Sequence, residues 1–257
     1  DGRVDGPYQG GTAMFGYGGI RVWDDDCAPV ANIATDFYDY FGDWIRENNI
    51  CCDYLKEVYE KTHLTNLVYE ESGKYENRKT LQEKIDSAYL YGLSNCRPEQ
   101  IGAAAKGAKG VYLYLEPKIL PFWKELARIR RETPFAIMWE PGFSDCAAQM
   151  CPQLLEIWRI LRPEMSSLNQ FEAGALFGTT EEEEIFRQIE ALETPYFFYR
   201  AGKKGAWALA GGERWFVPSI DVRPGGPVDP TGCGNTTTAA AMVGWLETHN
   251  PVMATIM

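Results

Sequence analysis

The chain has 257 residues, 45% of them hydrophobic and 24% charged, and a formal net charge of −11 from 25 Lys and Arg against 36 Asp and Glu. That length spans one or two domains and buries a core without disulfide or metal staples, and the composition excludes disorder. The acidity argues against nucleic acid as a partner, which needs a basic face, and no apolar run approaches the ~18–20 residues of a membrane span.

The first twelve residues, with Gly2, Gly6, Pro7, Gly10 and Gly11, read as loop. Residues 1–20 lack the pattern of a signal peptide. A short buried helix is expected over 13–22 and a short buried strand over 28–34. Asp36 can cap the next helix, whose Phe37, Tyr40, Phe41, Trp44 and Ile45 recur at helical spacing and which Asn48 and Asn49 end. Residues 62–84 read as a hairpin with one wet face. Then strands and helices alternate: strand 88–91, helix 98–106, strand 110–115, helix 118–132, strand 134–139, helix 148–161, strand 165–168, and helices 169–177 and 181–192. Glu181–Glu184 fits a solvated helix start, with Thr179 or Thr180 as the cap. Strand 195–199, a hairpin over 206–217 turned at Gly211 and Gly212, and helix 236–248 complete the series. Strands alternating with 10–15-residue helices predict an α/β fold with a mostly parallel sheet covered on both faces.

The seven cysteines, at 27, 51, 52, 96, 146, 151 and 233, are an odd number, and only His63 and His249 accompany them. No second pair stands at zinc spacing to join Cys146 and Cys151. Reduced thiols in a cytoplasmic protein are expected.

The stretch from Val228 to Met242 carries the strongest chemical signal. Asp229-Pro-Thr-Gly-Cys-Gly-Asn235 follows β-like sequence and runs into a helix. Gly232 and Gly234 let the backbone expose successive N–H groups, and the helix adds its positive end, so the loop suits phosphate oxygens. This segment resembles the Asp-Thr-Thr-Gly-Ala-Gly-Asp signature of the ribokinase/PfkB family of carbohydrate kinases. Other pieces follow in the family's order: Gly10-Gly11 at the sugar-site hinge, Asn169-Gln-Phe-Glu172 at the magnesium-linked Asn-x-x-Glu motif, and Gly202-Lys-Lys-Gly205 at the nucleotide-side turn. The resemblance spans nearly the whole chain. It implies a ribokinase-like three-layer α/β sandwich, a core over 1–61 and 85–257, and a β lid over 62–84. It also implies ATP and Mg²⁺ as cofactors, γ-phosphoryl transfer to a hydroxyl of a sugar- or nucleoside-like molecule, and a homodimer formed through the lid. Gly232, Cys233, Gly234, Gly202 and Gly205 fall to the cofactor, Asn169 and Glu172 to the metal, and Gly10, Gly11, Phe15 and Glu140 to the substrate.

Two departures stand against the family pattern. Its catalytic base is the last Asp of the signature, and this chain has Asn235 there, a carboxamide that takes no proton near pH 7. Asp229 is the substitute base if its side chain turns inward. Phe15 stands where a sugar-binding Asn is usual. The alternative is therefore a pseudokinase that binds a ligand without turnover. Relative to the family, the chain also starts after the first strand and stops before the closing helices, and the apolar segment 252–257 reads as exposed surface left by a missing part.

The carboxyl ends of the strands supply further candidates, because ligands of open α/β sheets bind there. Glu140 is either a site carboxylate or a strand-end residue held by backbone amides. Arg200 reads as a surface residue, with a phosphate contact as the alternative. Asn95 reads as loop, and Lys203 and Lys204 as solvated turn lysines that can reach a nucleotide.

Overall fold

The computed structural model describes residues 6–64, 66–69, 75–78, 95–115, 120–142, 146–220 and 230–257. Helix α1 (Thr12–Arg21) leads to strand β1 (Ala31–Ala34), helix α2 (Phe37–Glu47) and strand β2 (Leu55–Tyr59). Strands β3 (Asn66–Tyr69) and β4 (Tyr75–Arg78) pair antiparallel, at the position of the expected hairpin. Helix α3 (Pro98–Ala104) precedes a run of β5 (Gly110–Leu115), α4 (Leu120–Glu132), β6 (Ala136–Pro141), α5 (Cys151–Leu161), β7 (Met165–Asn169), α6 (Gln170–Phe177), α7 (Glu182–Glu190) and β8 (Tyr196–Arg200). Strands β9 (Gly205–Ala210) and β10 (Glu213–Pro218) then form a hairpin, and helices α8 (Cys233–Thr248) and α9 (Pro251–Ile256) follow. The strand expected over 88–91, residues 79–84 of the expected lid and the first two residues of helix 118–132 lie outside the described residues.

The main sheet has the order β10-β9-β8-β7-β6-β5. Its four strands from β5 to β8 are parallel, and β9 and β10 extend it antiparallel. Two consecutive glycines with positive φ, Gly211 at 58° and Gly212 at 82°, make the two-residue turn between them.

Side chains alternate across a strand, so each strand feeds two layers. Ile137 and Trp139 of β6 and Phe197 and Tyr199 of β8 join one core, beneath α4, α5, α6 and α7. Met138, Tyr196 and Phe198 join the other, where Ala241 and Met242 of α8 and Ala254 of α9 cover them. The first core holds three neighbouring indoles: Trp123–Trp139 centroids lie 5.1 Å apart and Trp139–Trp158 centroids 4.5 Å apart. Truncating any one of them to Ala would cost about 3–5 kcal/mol. A third, smaller cluster joins Tyr17 to Ile33 and to Phe37, Phe41 and Ile45 of α2.

Several expectations need correction. Tyr40 and Trp44 are solvent-exposed, because only the Phe37–Phe41–Ile45 row of α2 faces its partner. The Asp36 side chain does not cap α2; its Oδ1 accepts from Thr62 N and Thr62 Oγ1, both at 2.6 Å. Thr179 Oγ1 accepts from Glu181 N, one residue ahead of α7, whose N-cap is Glu181. The segment 252–257 is not simply exposed: α9 packs on α8 with Ala254 fully buried, and Gly244 leaves the room for it.

Candidate active site

The alternation that builds the two cores also assembles a polar cluster. Tyr112 of β5, Glu140 of β6, Ser167 of β7 and Arg200 of β8 all share the face that α8 covers. Parallel strands put the last three near their carboxyl ends, so three consecutive strands deliver polar side chains to one place. Glu140 is 2% exposed and Ser167 fully buried.

Arg200 is the hub. Its Nη2 donates to Glu140 Oε1 at 2.6 Å and to Glu172 Oε2 at 3.2 Å, and its Nε donates to Ser167 Oγ at 3.1 Å. Thr238 Oγ1 donates to the same Ser167 hydroxyl at 3.2 Å. The surface placement expected for Arg200 is therefore wrong. Its side chain is 12% exposed, held inward by two buried carboxylates that come from other elements. Burial works against the guanidinium charge, but Glu140, Glu172 and Tyr112 outweigh it and raise the Arg200 pKa. Burial raises the Glu172 carboxyl above its ordinary value, against the opposing pull of Arg200 and the Asn169 N–H. The Tyr112 hydroxyl is pushed well above its ordinary range by burial and then by the charge of Glu140.

Helix α8 closes the cluster from above. It begins after Gly232, whose φ of 80° lies in the left-handed region. Thr236 N donates to Gly232 O, while the N–H groups of Gly234 and Asn235 have no acceptor among the described residues. Arg200 packs so closely against Gly234 that a Cβ there would collide with Nη1. That Nη1 makes no hydrogen bond among the described residues. Two first-turn N–H groups without an acceptor among the described residues, a positive helix end and the Arg200 Nη1 thus lie together at the start of α8. This donor set fits the phosphates of a nucleotide. Asn235, at the third position of the helix, donates through Nδ2 to Tyr112 Oη at 2.9 Å and to Glu140 Oε2 at 3.5 Å.

The hinge candidates lie beside this loop. Gly11 is the N-cap of α1 and Gly10 precedes it. The Phe15 ring packs between Gly10 and Gly232, close enough that a Cβ on Gly232 would collide with it. Phe15 O accepts from Thr236 Oγ1 at 3.1 Å, and Gly19 lets α1 approach the Thr236 backbone where no Cβ would fit. Gly202 opens the short 3₁₀ turn 202–204, near Gln170 at the start of α6, and Gly205 begins β9. Lys203 and Lys204 are exposed on that turn. Cys233 is exposed at the start of α8. Asn95 stands apart, its carbonyl accepting from Asn32 of β1 at 2.8 Å. Asp229 lies outside the described residues.

Asn169 and Glu172 form a capping box at α6: Asn169 Oδ1 accepts from the Phe171 and Glu172 N–H groups, and Glu172 Oε2 accepts from Asn169 N at 2.7 Å. Three of their oxygen contacts are thus made to backbone, and a fourth to Arg200. No group of three or more His, Cys, Asp or Glu among the described residues can hold a metal ion.

A family model described as pfkB family carbohydrate kinase matches residues 33–255. The chain belongs to the pfkB carbohydrate kinase family. No curated protein sequence matches it. Solved structures share the fold at low identity. A protein described as ribokinase II from E. coli, in complex with ATP and Mg²⁺, superposes with a TM-score of 0.76 at 14% identity over 99% of this chain and 81% of its own. Adenosine kinase from Sinorhizobium meliloti gives 0.75 at 19% identity over 97% and 76%. A Burkholderia thailandensis nucleoside kinase, in complex with inosine, gives 0.65 at 13% over 96% and 79%. These likenesses establish the ribokinase-like α/β fold that the motif order implies. Among pfkB members, the expected base position is occupied here by Asn235, and the buried set around it was only partly readable. Tyr112, Ser167 and Thr238 carried no motif; the signal available for Tyr112 and Ser167 was their parity with Met138 and Met165 on the α8 side of the sheet.

Proposed function

We propose that this pfkB member is an ATP-dependent kinase that phosphorylates a hydroxyl of a sugar- or nucleoside-like molecule. The observation that carries it is Arg200 Nη1 packed against Gly234 at the start of α8, where the Gly234 and Asn235 N–H groups have no acceptor among the described residues. Phosphoryl transfer relies on positioning and on charge stabilisation of the moving group, and this cluster offers both without a strong base. Gly232, Cys233 and Gly234 would face the phosphates, and the 202–205 turn the rest of the nucleotide. Magnesium, when bound, neutralises phosphate charge; it would be held by phosphate oxygens and water, as that ion prefers. Asn169 and Glu172 would orient Arg200 and the head of α6 through Asn169 Oδ1 and Glu172 Oε2, and Glu172 Oε1 is the oxygen that they would offer to the magnesium or its water. Gly10, Gly11, Phe15 and Glu140 form the acceptor side, and the β3–β4 hairpin is the lid over it. The Phe15 ring at Gly232 favours a flat or weakly polar acceptor.

Calorimetry with Mg-ATP, followed by product measurement over a panel of sugars and nucleosides, tests this. Wild-type protein should bind ATP, and Arg200→Lys, which keeps the charge but loses the planar fork, should bind it about tenfold more weakly. Absence of nucleotide binding in the wild type would overturn the reading. Binding without turnover on every acceptor would favour the pseudokinase, for which Asn235 is the specific observation.

A further inference from the structure

The contacts of Asn235 explain why a carboxamide stands at the position of the usual base. The Tyr112 hydroxyl has one proton and donates it to Glu140 Oε2 at 2.6 Å. Its oxygen then accepts an N–H of Asn235 at 2.9 Å, and the same amide nitrogen lies 3.5 Å from that Glu140 oxygen. The amide nitrogen of Asn235 is therefore turned towards the Tyr112–Glu140 pair. The Asn235 Oδ1 is left without a partner among the described residues. The carboxylate of Glu140 also fixes which amide atom is nitrogen, because an oxygen in that place would face another oxygen.

An aspartate at 235 changes this arithmetic. It brings no donors. The oxygen that takes the place of Nδ2 would stand about as far from Tyr112 Oη and Glu140 Oε2 as the amide nitrogen does now, within reach of one shared Tyr112 proton. Two carboxylates at such range, Glu140 at 2% exposure and position 235 half-buried, do not both ionise readily. The other charged groups facing Glu140 do not relieve them. Arg200 already serves both Glu140 and Glu172, and no other cation pairs with either carboxylate among the described residues.

We propose that the negative charge of this site has moved from position 235 to Glu140, and that Glu140, with Tyr112, is a positioning residue that orients the Asn235 amide so that its oxygen faces the acceptor hydroxyl. Position 235 is then neutral because position 140 is anionic, and the two residues form an exchangeable pair. This rests on the kinase reading for the hydroxyl, but not for the charge exchange.

Four proteins decide it: wild type, Asn235→Asp, Glu140→Gln, and the double variant E140Q/N235D, in which the charge is swapped across the pair. Thermal unfolding at pH 5 and pH 8 reads the pairing without any ligand. Asn235→Asp should lower the melting temperature by roughly 5–15 °C at pH 8 and less at pH 5, where a shared proton is available. The double variant should regain at least half of that loss. An N235D protein as stable as wild type, or a double variant no more stable than the weaker single one, would overturn the proposal; failure of the double variant to fold counts with the second result. The same four proteins are assayed with Mg-ATP and the acceptor panel, where the double variant should turn over at least tenfold faster than N235D. If no protein binds ATP, the kinase reading fails, while the melting cycle still decides the charge exchange.

Discussion

Two arginines join strands in this molecule, at opposite ends of the parallel sheet, and they use their donors differently. Arg130, at the amino end, donates to the carbonyls of Phe135 at 2.9 Å, Leu161 at 2.6 Å and Arg162 at 3.1 Å, and pairs with Glu164, which in turn accepts from Ile137 N. All three of its nitrogens are engaged, mostly with backbone. The effect is to tie the C-terminus of α5 and the start of β6 to α4. Arg200, at the carboxyl end, bonds only to side chains among the described residues, and its Nη1, without a hydrogen bond there, packs against Gly234 of α8. Both are buried cations paired to glutamate, so burial and pairing alone do not mark a functional arginine. The Nη1 left beside the start of α8 is what distinguishes Arg200 and carries the phosphate proposal.

The comparison is broken most severely by removing the buried charge at the carboxyl end. Arg200→Leu leaves Glu140 and Glu172 together in a dry site without their common partner. Truncating one member of such a set costs about 3–5 kcal/mol, a drop of roughly 6–20 °C in melting temperature at this size. ATP binding should be lost with it. A melting temperature within two degrees of wild type would mean that the carboxylates are already neutral and that Arg200 is not what holds them.

Arg130→Met tests the other end. The variant removes charge-assisted bonds to three carbonyls, but that region is more open: Glu164 is 38% exposed, and water can reach the freed groups. The expected loss is about 2 kcal/mol, smaller than at Arg200, with ATP affinity unchanged within twofold. Unfolding by urea together with calorimetry separates the two quantities. Weaker ATP binding in this variant would show that the two ends are coupled and would dissolve the distinction between them.

The difference between these arginines also shows how far the sequence could be read. Local order was legible: the Gly110–Leu115 strand, the Gly211-Gly212 turn and the helix after Gly232 each follow from their own residues. Strand β2 was missed, because Leu55-Lys-Glu-Val-Tyr59 exposes three of its five residues and has no clean alternation. The row Tyr40–Trp44 misled for the opposite reason: apolar residues at helical spacing fit a core stripe, and only the partner cluster shows that α2 buries its Phe37–Phe41–Ile45 row instead. At the site, Asn235 was legible through its motif and Glu140 through its strand end. Arg200 was read as a surface residue with a phosphate contact as the alternative, and its inward turn was not legible, since the groups that draw it inward lie 60 and 28 residues away in sequence. Tyr112 lies 123 residues from Asn235, and nothing local to either announces the contact.

The smallest effect sharpens the comparison by asking which of the two carboxylates Arg200 needs. Glutamine at 172 keeps an oxygen for the Asn169 N–H, so Glu172→Gln preserves the capping box. It also leaves the Arg200–Glu140 pair in place. Because burial raises the Glu172 carboxyl, the folded protein holds that proton to higher pH than the unfolded chain does. Wild-type stability from this group is therefore full below the ordinary glutamate range near ~4.3 and is lost as pH rises through the raised folded value. The variant has no such group and should show no such decline. Melting curves from pH 4 to pH 8 should converge with wild type at the acid end, with E172Q equal or more stable by up to about 1 kcal/mol at pH 8. The opposite slope, with the variant losing ground as pH rises, would mean that the Glu172–Arg200 attraction outweighs burial and that Arg200 depends on both carboxylates.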